Sequence, residues 1–252
     1  MAGTAIVTGA TGGIGAGFIR AIDGMDEIGE IWAVGRNTEK LALLKSGRGK
    51  VVPVEADLSA DGVRALAERV RNERPDVRLL INNAGVGRMG TFGDMRAEDV
   101  GGICRVNCCA PAELISLCLP YMRKGARILN ISSAASFQPN PYLSMYSASK
   151  AFLRFLSRAL GAELKQRGIT VTCVCPGWVD TGMLPRTKDG KEIRYPGMIG
   201  VDTVVDKALR DSARGKDMSV PGLFAKYFRI YSKIVPTGTV MRQWTRIIRK
   251  YV

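Results

Sequence analysis

Short apolar runs rich in β-branched residues alternate with longer segments of helical periodicity along most of this chain. Such alternation is typical of parallel strands joined by helical crossovers. The runs predict strands at Thr4–Thr8, Glu30–Val34, Lys50–Val54, Arg78–Ile81, Arg127–Ile131, Thr170–Val174 and Met218–Val220. The segments between them predict helices at Gly13–Ile22, Asn37–Leu44, Ala60–Arg71, Asp99–Met122, Tyr142–Gln166 and Asp202–Arg214. The sequence therefore predicts an α/β fold with a doubly wound parallel sheet of about seven strands and helices on both faces.

The length of 252 residues fits one such domain, and we expect a single domain over residues 1–252. Two segments depart from the alternation. Residues 182–200 are rich in Gly and Pro and predict a long loop that covers a substrate. Residues 221–252 form a basic tail whose apolar residues recur at helical spacing.

The chain contains no histidine, which excludes Ser-His-Asp and Cys-His nucleophile systems and histidine-based metal sites. Its six cysteines include no CxxC pair, so we expect buried free thiols in a reducing compartment and no metal site. We see neither a leader sequence nor a run of about 18 apolar residues. These observations predict a cytoplasmic protein.

A glycine-rich loop, Thr8-Gly-Ala-Thr-Gly-Gly-Ile-Gly15, joins the first predicted strand to the first predicted helix. Glycines at such a junction let the backbone approach a pyrophosphate, which then lies at the helix N-terminus. A purely structural tight turn is the alternative. The position of the loop favours a Rossmann-type dinucleotide site.

Arg36 lies at the end of the second predicted strand, where an acidic residue in such folds accepts hydrogen bonds from the ribose 2′-hydroxyl. An arginine can instead bind a 2′-phosphate through two hydrogen bonds. The sequence therefore predicts NADP(H), with NADPH preferred over NADH. The alternative is a solvated surface arginine.

In these and further motifs the chain resembles the short-chain dehydrogenase/reductase family, in its short single-domain branch. The motifs are Gly9-x-x-x-Gly-Ile-Gly15, Asn82-Asn-Ala-Gly85 and Tyr146-x-x-x-Lys150, with Asp57, Asn107, Ser133 and Pro176-Gly177 at matching places between and after them. The resemblance implies these cofactor-binding residues: Gly9, Thr11, Gly13, Ile14, Gly15, Arg36, Asn37, Asp57, Leu58, Asn83, Ala84, Gly85, Tyr146, Lys150, Pro176, Gly177, Val179 and Thr181. It implies the catalytic residues Asn107, Ser133, Tyr146 and Lys150.

Tyr146 and Lys150 are four residues apart, so they share one face of a helix. The lysine ammonium and the positive nicotinamide would lower the tyrosine pKa, so that Tyr146 acts as general acid in ketone reduction and general base in alcohol oxidation. Ser133 would donate a hydrogen bond to the substrate oxygen. In the family the asparagine matched by Asn107 kinks its helix and holds a water in the proton path. Each residue alone also has a merely structural interpretation.

The segments expected around the substrate are rich in apolar and aromatic side chains: Phe137, Tyr142, Met145, Met183, Leu184, Tyr195, Met198 and Ile199. This composition favours a lipophilic carbonyl substrate, steroid-like or of the ketoacyl type, over a sugar or a small acid. The loop also carries Arg186, Lys188, Lys191 and Arg194 against Asp189 and Glu192. This small excess of positive charge is explained either by solubility or by contact with an anionic substrate group.

The tail after Asp217 contains no acidic residue and carries half of the net charge of +14, on Lys226, Arg229, Lys233, Arg242, Arg246, Arg249 and Lys250. Pro236-Thr-Gly238 divides it into two amphipathic helical segments. Either their apolar faces pack on the domain or on a second subunit, or the tail lies on an anionic membrane face. Charge alone gives only non-specific affinity for nucleic acid, so we expect no nucleic-acid partner.

The sequence thus predicts an NADP(H)-dependent oxidoreductase that interconverts a ketone and a secondary alcohol, cytoplasmic and either free or peripheral on an anionic membrane face. The resemblance also implies a homodimer or homotetramer formed through the helices that carry Asn107 and Tyr146. The alternative is a non-catalytic cofactor sensor or membrane-docked scaffold on the same fold. Epimerase or dehydratase chemistry on nucleotide sugars would need a larger C-terminal region than this chain has.

Overall fold

The protein is described by a computed structural model that covers residues 2–182, 184, 187–188 and 191–249. Its strands are β1 (Gly3–Thr8), β2 (Ile28–Gly35), β3 (Val51–Glu55), β4 (Val77–Asn82), β5 (Arg127–Ile131), β6 (Thr170–Val174), β7 (Thr187–Lys188), β8 (Lys191–Glu192) and β9 (Met218–Ser219). Its α-helices are α1 (Gly13–Asp23), α2 (Thr38–Lys45), α3 (Gly62–Glu73), α4 (Ala97–Cys104), α5 (Ala110–Cys118), α6 (Ser144–Glu163), α7 (Val201–Ala213), α8 (Leu223–Ile234) and α9 (Thr237–Ile248). Met183, Pro185, Arg186, Asp189, Gly190 and the last three residues, which include Lys250, lie outside the described part.

Seven strands form one parallel sheet in the order β3-β2-β1-β4-β5-β6-β9. The strand order reverses between β1 and β4, which is where doubly wound sheets bind their ligands. The predicted fold class is therefore confirmed.

Each face of the sheet carries its own hydrophobic core. On one face Phe18 and Ile22 of α1 pack with Val204 and Leu209 of α7. The core of the other face includes residues of α3 and α5, for example Leu66 and Leu114. Burial of both faces explains why the strands are almost uniformly apolar rather than alternating.

The long helix predicted over Asp99–Met122 begins earlier and is interrupted by a π-helical turn at Arg105–Cys109. By length and composition alone, Ala97–Tyr121 could also span a membrane, with mean hydropathy 1.3 and 44% of its apolar window buried. This segment is instead a core helix, because Leu114, Ile115 and Cys118 are buried against the sheet. Its packing accounts for its apolar composition.

The helix predicted from Tyr142 begins two residues later, at Ser144. Tyr142 has a φ of 63°, the left-handed region, and cannot be part of a right-handed helix. The predicted long loop after residue 182 contains the short antiparallel pair β7 and β8, and it ends in a bridge between Val179 and Ile199.

The two tail helices behave differently. On α9, Val240, Trp244 and Ile248 are buried, and Trp244 Nε1 donates a hydrogen bond to Pro141 O at 2.9 Å. On α8, Ala225 is the buried side chain among those that the structure describes, while an apolar stripe faces outward. Packing on the domain therefore explains the apolar face of α9 but not that of α8.

Candidate active site

A cleft of about 1690 Å³ opens at the carboxyl ends of the sheet strands. It extends from the loop after β1, across the ends of β2 and β3, to the loops after β4, β5 and β6. The tail helices α8 and α9 close its far side through Phe224, Phe228 and Trp244. One end of the cleft is thus made by the sheet, and the other is completed by the tail.

The glycine-rich loop is shaped for a close approach of its backbone to a ligand. Gly9 has a φ of 61°, which favours glycine, and Gly15 lies against the Gly9 carbonyl with no room for a side chain. The Ala10 amide donates to Val34 O at 3.0 Å and fixes the loop on β2. The first turn of α1 has no acidic residue, and Gly12 at its start offers no capping side chain, so this turn can receive an anion.

The segment after β4 is tied to the end of β1. Asn83 Nδ2 donates to the carbonyls of Thr8 and Gly9, each at 3.0 Å. The Thr8 hydroxyl oxygen accepts from the amides of Asn83 and Ala84, both at 3.0 Å. These bonds hold the ends of β1 and β4 together at the point where the strand order reverses.

Arg36 and Asp57 face each other across the ends of β2 and β3, with Nη1 and Oδ2 4.0 Å apart. The Asp57 carboxylate accepts from the hydroxyl and the amide of Ser59, at 2.6 and 2.9 Å. These two bonds, and to a smaller degree the charge of Arg36, lower the pKa of Asp57 against the opposing effect of burial. Asp57 is therefore a fixed acceptor at neutral pH, and the Arg36 guanidinium is largely exposed.

The start of α2 adds a second group beside Arg36. Asn37 caps this helix by accepting from the Lys40 amide at 2.7 Å. Lys40 is exposed and lines the cleft with Arg36. Two cationic side chains and a helix N-terminus thus lie together at the end of β2, an arrangement suited to a phosphate group.

Ser133, Tyr146 and Lys150 meet at the end of β5. Ser133 Oγ accepts from the Ala135 amide at 3.1 Å, and the Ser133 side chain lowers the pKa of Tyr146. Lys150 is buried, donates from Nζ to Ile131 O at 2.8 Å and lies 5.7 Å from the centre of the Tyr146 ring. A Cβ at Gly87 would lie 2.7 Å from Tyr146 Cδ2, so this glycine leaves room for the tyrosine ring.

Burial dominates the titration of both residues. It raises the pKa of Tyr146, which the hydrogen bond with Ser133 partly offsets, and it lowers the pKa of Lys150 to about 8. The direction for Tyr146 is opposite to the one expected from the sequence, because in the protein alone burial outweighs any effect of the lysine. Tyr146 therefore carries its proton at neutral pH.

Asn107 lies in the π-helical turn and is buried. Its Oδ1 accepts from the Val86 amide at 2.9 Å, and its Nδ2 donates to Val86 O at 2.8 Å and to Ser149 Oγ at 2.9 Å. The Ser149 hydroxyl in turn donates to Tyr146 O at 2.8 Å. Asn107 thereby joins the segment after β4 to the helix that carries Tyr146 and Lys150.

The segment after β6 borders the middle of the cleft. Pro176 O accepts from the Ala134 amide at 2.7 Å, which joins this segment to the loop after β5. A Cβ at Gly13 would lie 2.9 Å from Thr181 Cγ2, so Thr181 lies close to the glycine-rich loop. Gly177 and Val179 line the cleft between these two contacts.

Nearly all the residues that the sequence predicts for the site line this one cleft. They are Gly9, Thr11, Gly13, Ile14, Arg36, Asn37, Asp57, Leu58, Asn83, Ala84, Gly85, Ser133, Tyr146, Lys150, Pro176, Gly177, Val179 and Thr181. Gly15 and Asn107 lie behind its surface and act on it through the contacts above. The sequence prediction missed Lys40, although its place in the first turn after Arg36 was a usable signal.

The apolar end of the cleft differs from the prediction. Of the eight side chains predicted for this end, Leu184 lines it and Met183 lies outside the described residues. The other six do not line it: Phe137, Tyr142, Met145, Tyr195, Met198 and Ile199. Trp178, Phe224, Phe228 and Trp244 line it instead. Trp178 stacks on Trp244 at 6.4 Å between ring centres, and Phe224 stacks on Phe228 at 6.1 Å. The aromatic character was predicted correctly but was assigned to the wrong residues, because the folding of the tail onto the cleft is not visible in local sequence.

Comparison with known proteins agrees with this geometry. Residues 3–192 match the family described as short chain dehydrogenase. Nodulation protein G of Rhizobium sp. (strain N33) is 36% identical over 189 residues, which cover 73% of this chain and 76% of that protein. Ketoacyl reductase HetN of Nostoc sp. (strain PCC 7120 / SAG 25.82 / UTEX 2576) is 33% identical over 208 residues, 79% of this chain and 70% of HetN. The structure of a short-chain dehydrogenase from Sphingobium yanoikuyae in complex with NADPH superposes with a TM-score of 0.77 at 30% identity and covers 92% of this chain and 93% of that one.

Proposed function

Because this chain belongs to the short-chain dehydrogenase family and is an oxidoreductase, we propose that it interconverts a ketone and a secondary alcohol with NADP(H). The observation that carries the proposal is the meeting of Ser133, Tyr146 and Lys150 in the cleft that contains the glycine-rich loop. A hydroxyl group, a tyrosine and a buried amine there share one cleft with the loop that we propose binds the dinucleotide.

NADP(H) is the cofactor, and the residues present fit it. The Sphingobium yanoikuyae relative binds NADPH. In this chain the open N-terminus of α1 suits the pyrophosphate, and Arg36, Asn37 and Lys40 suit the 2′-phosphate. Asp57 and Leu58 would hold the adenine, and Pro176, Gly177, Val179 and Thr181 would border the nicotinamide. When bound, the cofactor supplies or accepts the hydride.

Tyr146 supplies the proton that ketone reduction consumes. Its raised pKa keeps the hydroxyl protonated at neutral pH, as a general acid requires. The Ser133 oxygen accepts from the Ala135 amide, which fixes the side chain, and its hydroxyl would donate to the substrate oxygen, where negative charge develops. In alcohol oxidation the same tyrosine would take the proton back.

Lys150 and Asn107 support this pair. Lys150 is held by Ile131 O beside Gly85, where its Nζ can bind the ribose of the nicotinamide and place positive charge near Tyr146. Asn107 positions the helix that carries both residues through Ser149. Its remaining acceptor capacity on Oδ1 could hold a water that links Lys150 to solvent.

We propose a lipophilic substrate, steroid-like or of the ketoacyl type. Four aromatic side chains surround the apolar end of the cleft, beside Tyr146 and Ser133. Such a surface excludes water around a flat or bulky apolar ketone and offers few polar groups to a sugar. HetN, which covers most of this chain, is a ketoacyl reductase.

The alternative proposal is a non-catalytic cofactor sensor or scaffold on the same fold. It requires cofactor binding without hydride transfer. The presence of Ser133, Tyr146 and Lys150 together in the lining of the cleft argues against it.

The decisive experiment compares Tyr146→Phe with the wild type. Loss of the hydroxyl removes the proton donor, so we expect NADPH-dependent ketone reduction to fall by a factor of about 10² to 10⁴. NADPH binding should persist because the ring and its packing remain. The shift in melting temperature on adding NADPH measures this binding.

Tyr121→Phe serves as the control, since Tyr121 packs against the core that includes residues of α3 and α5 and does not line the cleft. Retained turnover in Tyr146→Phe would refute the assigned mechanism. Cofactor binding by the wild type without turnover of any apolar ketone would support the sensor instead.

The remaining expectations also stay proposals. They are a single domain over residues 1–252, a cytoplasmic location and a homodimer or homotetramer formed through the helices that carry Asn107 and Tyr146. Exposed Phe152 and Phe155 on α6 support the oligomer, because they give that helix an apolar outer face.

A further inference from the structure

Helix α8 presents an unburied apolar stripe to solvent. Leu223, Tyr227, Ile230 and Ile234 are 81%, 62%, 59% and 75% exposed. Their spacing of four, three and four residues places them in one narrow row along the helix. Such a continuous exposed row marks an interaction surface rather than isolated surface residues.

One flank of this stripe is basic. Lys226 and Lys233 are exposed and Arg229 is partly exposed, all on the same side of the row. On the neighbouring helix, Arg242, Arg246 and Arg249 are exposed as well. The tail after Asp217 contains no acidic residue that could neutralise them.

This charge argues against self-association through the stripe. An antiparallel two-fold contact would bring each stripe onto its copy and place the two basic flanks on the same side, close together. Like charges at such short range oppose the contact, and the chain as a whole carries a net charge of +14. The stripe therefore fits an anionic partner that also accepts apolar side chains.

The opposite side of α8 faces the cleft. Phe224 and Phe228 line the apolar end of the site, while Leu223 and Tyr227 beside them point outward. The helix is thus the partition between the substrate end of the cleft and the surface that carries the stripe. An apolar medium against this surface would lie next to the substrate site.

We propose that α8 docks this protein on an anionic lipid membrane, with Leu223, Tyr227, Ile230 and Ile234 in the acyl region and the basic flank on the headgroups. An amphipathic helix with this division of apolar and basic residues binds in the membrane–water interface. The docked protein receives its lipophilic ketone from the bilayer beside the cleft. This last step depends on the proposed function, whereas the docking does not.

The test uses the full chain and flotation of vesicles of two compositions, phosphatidylcholine alone and phosphatidylcholine mixed with phosphatidylglycerol. We expect binding to the anionic vesicles, weakened by added salt because exposed charges are screened. Leu223→Glu should lower the apparent affinity by roughly tenfold or more. Leu43→Glu is the matched control, because Leu43 is also a strongly exposed leucine on a helix, 71% exposed against 81% for Leu223.

Absence of binding by the wild type, or an equal loss in Leu43→Glu, would overturn the proposal. A wild-type oligomer that Leu223→Glu dissociates, without vesicle binding, would overturn it in favour of a second copy. Reduction of a water-soluble ketone with NADPH in vesicle-free buffer tests the enzyme separately, and Leu223→Glu should leave it unchanged. Failure of the enzyme assay alone would leave the docking result standing.

Discussion

The proposed preference for NADPH depends on single charged groups in this cleft. Arg36 has no acidic neighbour at its own strand end, its Nη1 lies 4.0 Å from Oδ2 of Asp57, and its side chain is 67% exposed. The guanidinium is therefore available to a phosphate. This position could be predicted from the sequence alone because it depends only on a strand end and a side-chain type.

Replacing Arg36 with aspartate tests this assignment. The substitution removes a charge-assisted contact with the 2′-phosphate and adds a group that repels it, so NADPH affinity should fall by roughly tenfold to a hundredfold. NADH should lose little, because aspartate can accept from the free 2′-hydroxyl. Calorimetric titration with both cofactors measures the change. Arg210→Asp on α7 makes the same change of charge outside the cleft, and an equal loss there would contradict a specific role.

Lys150 predicts a pH dependence. Burial lowers its pKa to about 8, so the amine is cationic below that pH and neutral above it in the folded protein. We expect kcat/KM for ketone reduction to decline as the pH rises through about 8, while Tyr146, with its raised pKa, keeps its proton. A pH series with Lys150→Arg as comparison measures this, since arginine does not titrate in that range. A profile that stays flat through pH 8 in the wild type would contradict the assignment.

The lowered pKa of Lys150 also affects stability, which should rise with pH where activity falls. The folded state binds the lysine proton less tightly than the unfolded state does. Burial of the charged amine therefore destabilises the fold below pH 8, and this cost disappears between about pH 8 and the ordinary pKa of lysine.

At the scale of elements, α9 links the tail to the catalytic region. Trp244 is 9% exposed, packs with Leu143 and Tyr146, and is hydrogen-bonded to Pro141 O. The helix thus supports the segment that leads into α6.

Trp244→Ala should therefore affect both stability and substrate binding. Removing a large, nearly buried ring costs about 3–5 kcal/mol of unfolding free energy, measured by urea titration. It also widens the apolar end of the cleft, so KM for a bulky ketone should rise more than kcat falls. Trp244→Phe keeps most of the packing and loses the hydrogen bond, at a cost of about 1 kcal/mol. An unchanged KM in Trp244→Ala would contradict a substrate that lies against Trp244 at the apolar end of the cleft.

The elements also show how far sequence reasoning extends. The strands and the motif-bearing loops were predictable because hydrophobic periodicity and glycine spacing are local signals. The π-helical turn at Asn107 was not, since it depends on side-chain bonds to Val86 and Ser149, which are distant in sequence. The start of α6 was misplaced because nothing local indicates the left-handed backbone of Tyr142.

For the whole molecule, the exposed face of α6 bears on assembly. Phe155 on α6 is 68% exposed, and Arg154 lies over its ring at 4.9 Å. An exposed aromatic on the helix that carries Tyr146 is well placed for a two-fold contact.

Phe155→Glu should weaken the expected oligomer, because it places a charge at the centre of that contact. Size-exclusion chromatography with light scattering would then show a lower mass than for the wild type. Phe92→Glu, at another exposed phenylalanine, is the control and should keep the wild-type mass. A monomeric wild type would contradict the expected assembly.

The division of the cleft between sheet and tail has an evolutionary consequence. In the proposed reaction the cofactor and the proton are handled by residues on the strand ends and α6, whereas side chains of α8 and α9 line the apolar end of the cleft. Because α8 packs through Ala225 and Phe228 and α9 through Trp244, only changes at the side chains of the tail that face the cleft would alter substrate choice while the proposed proton-transfer residues stay in place. Under the proposed function, selection could diversify what this scaffold reduces by varying the side chains of its tail helices that face the cleft.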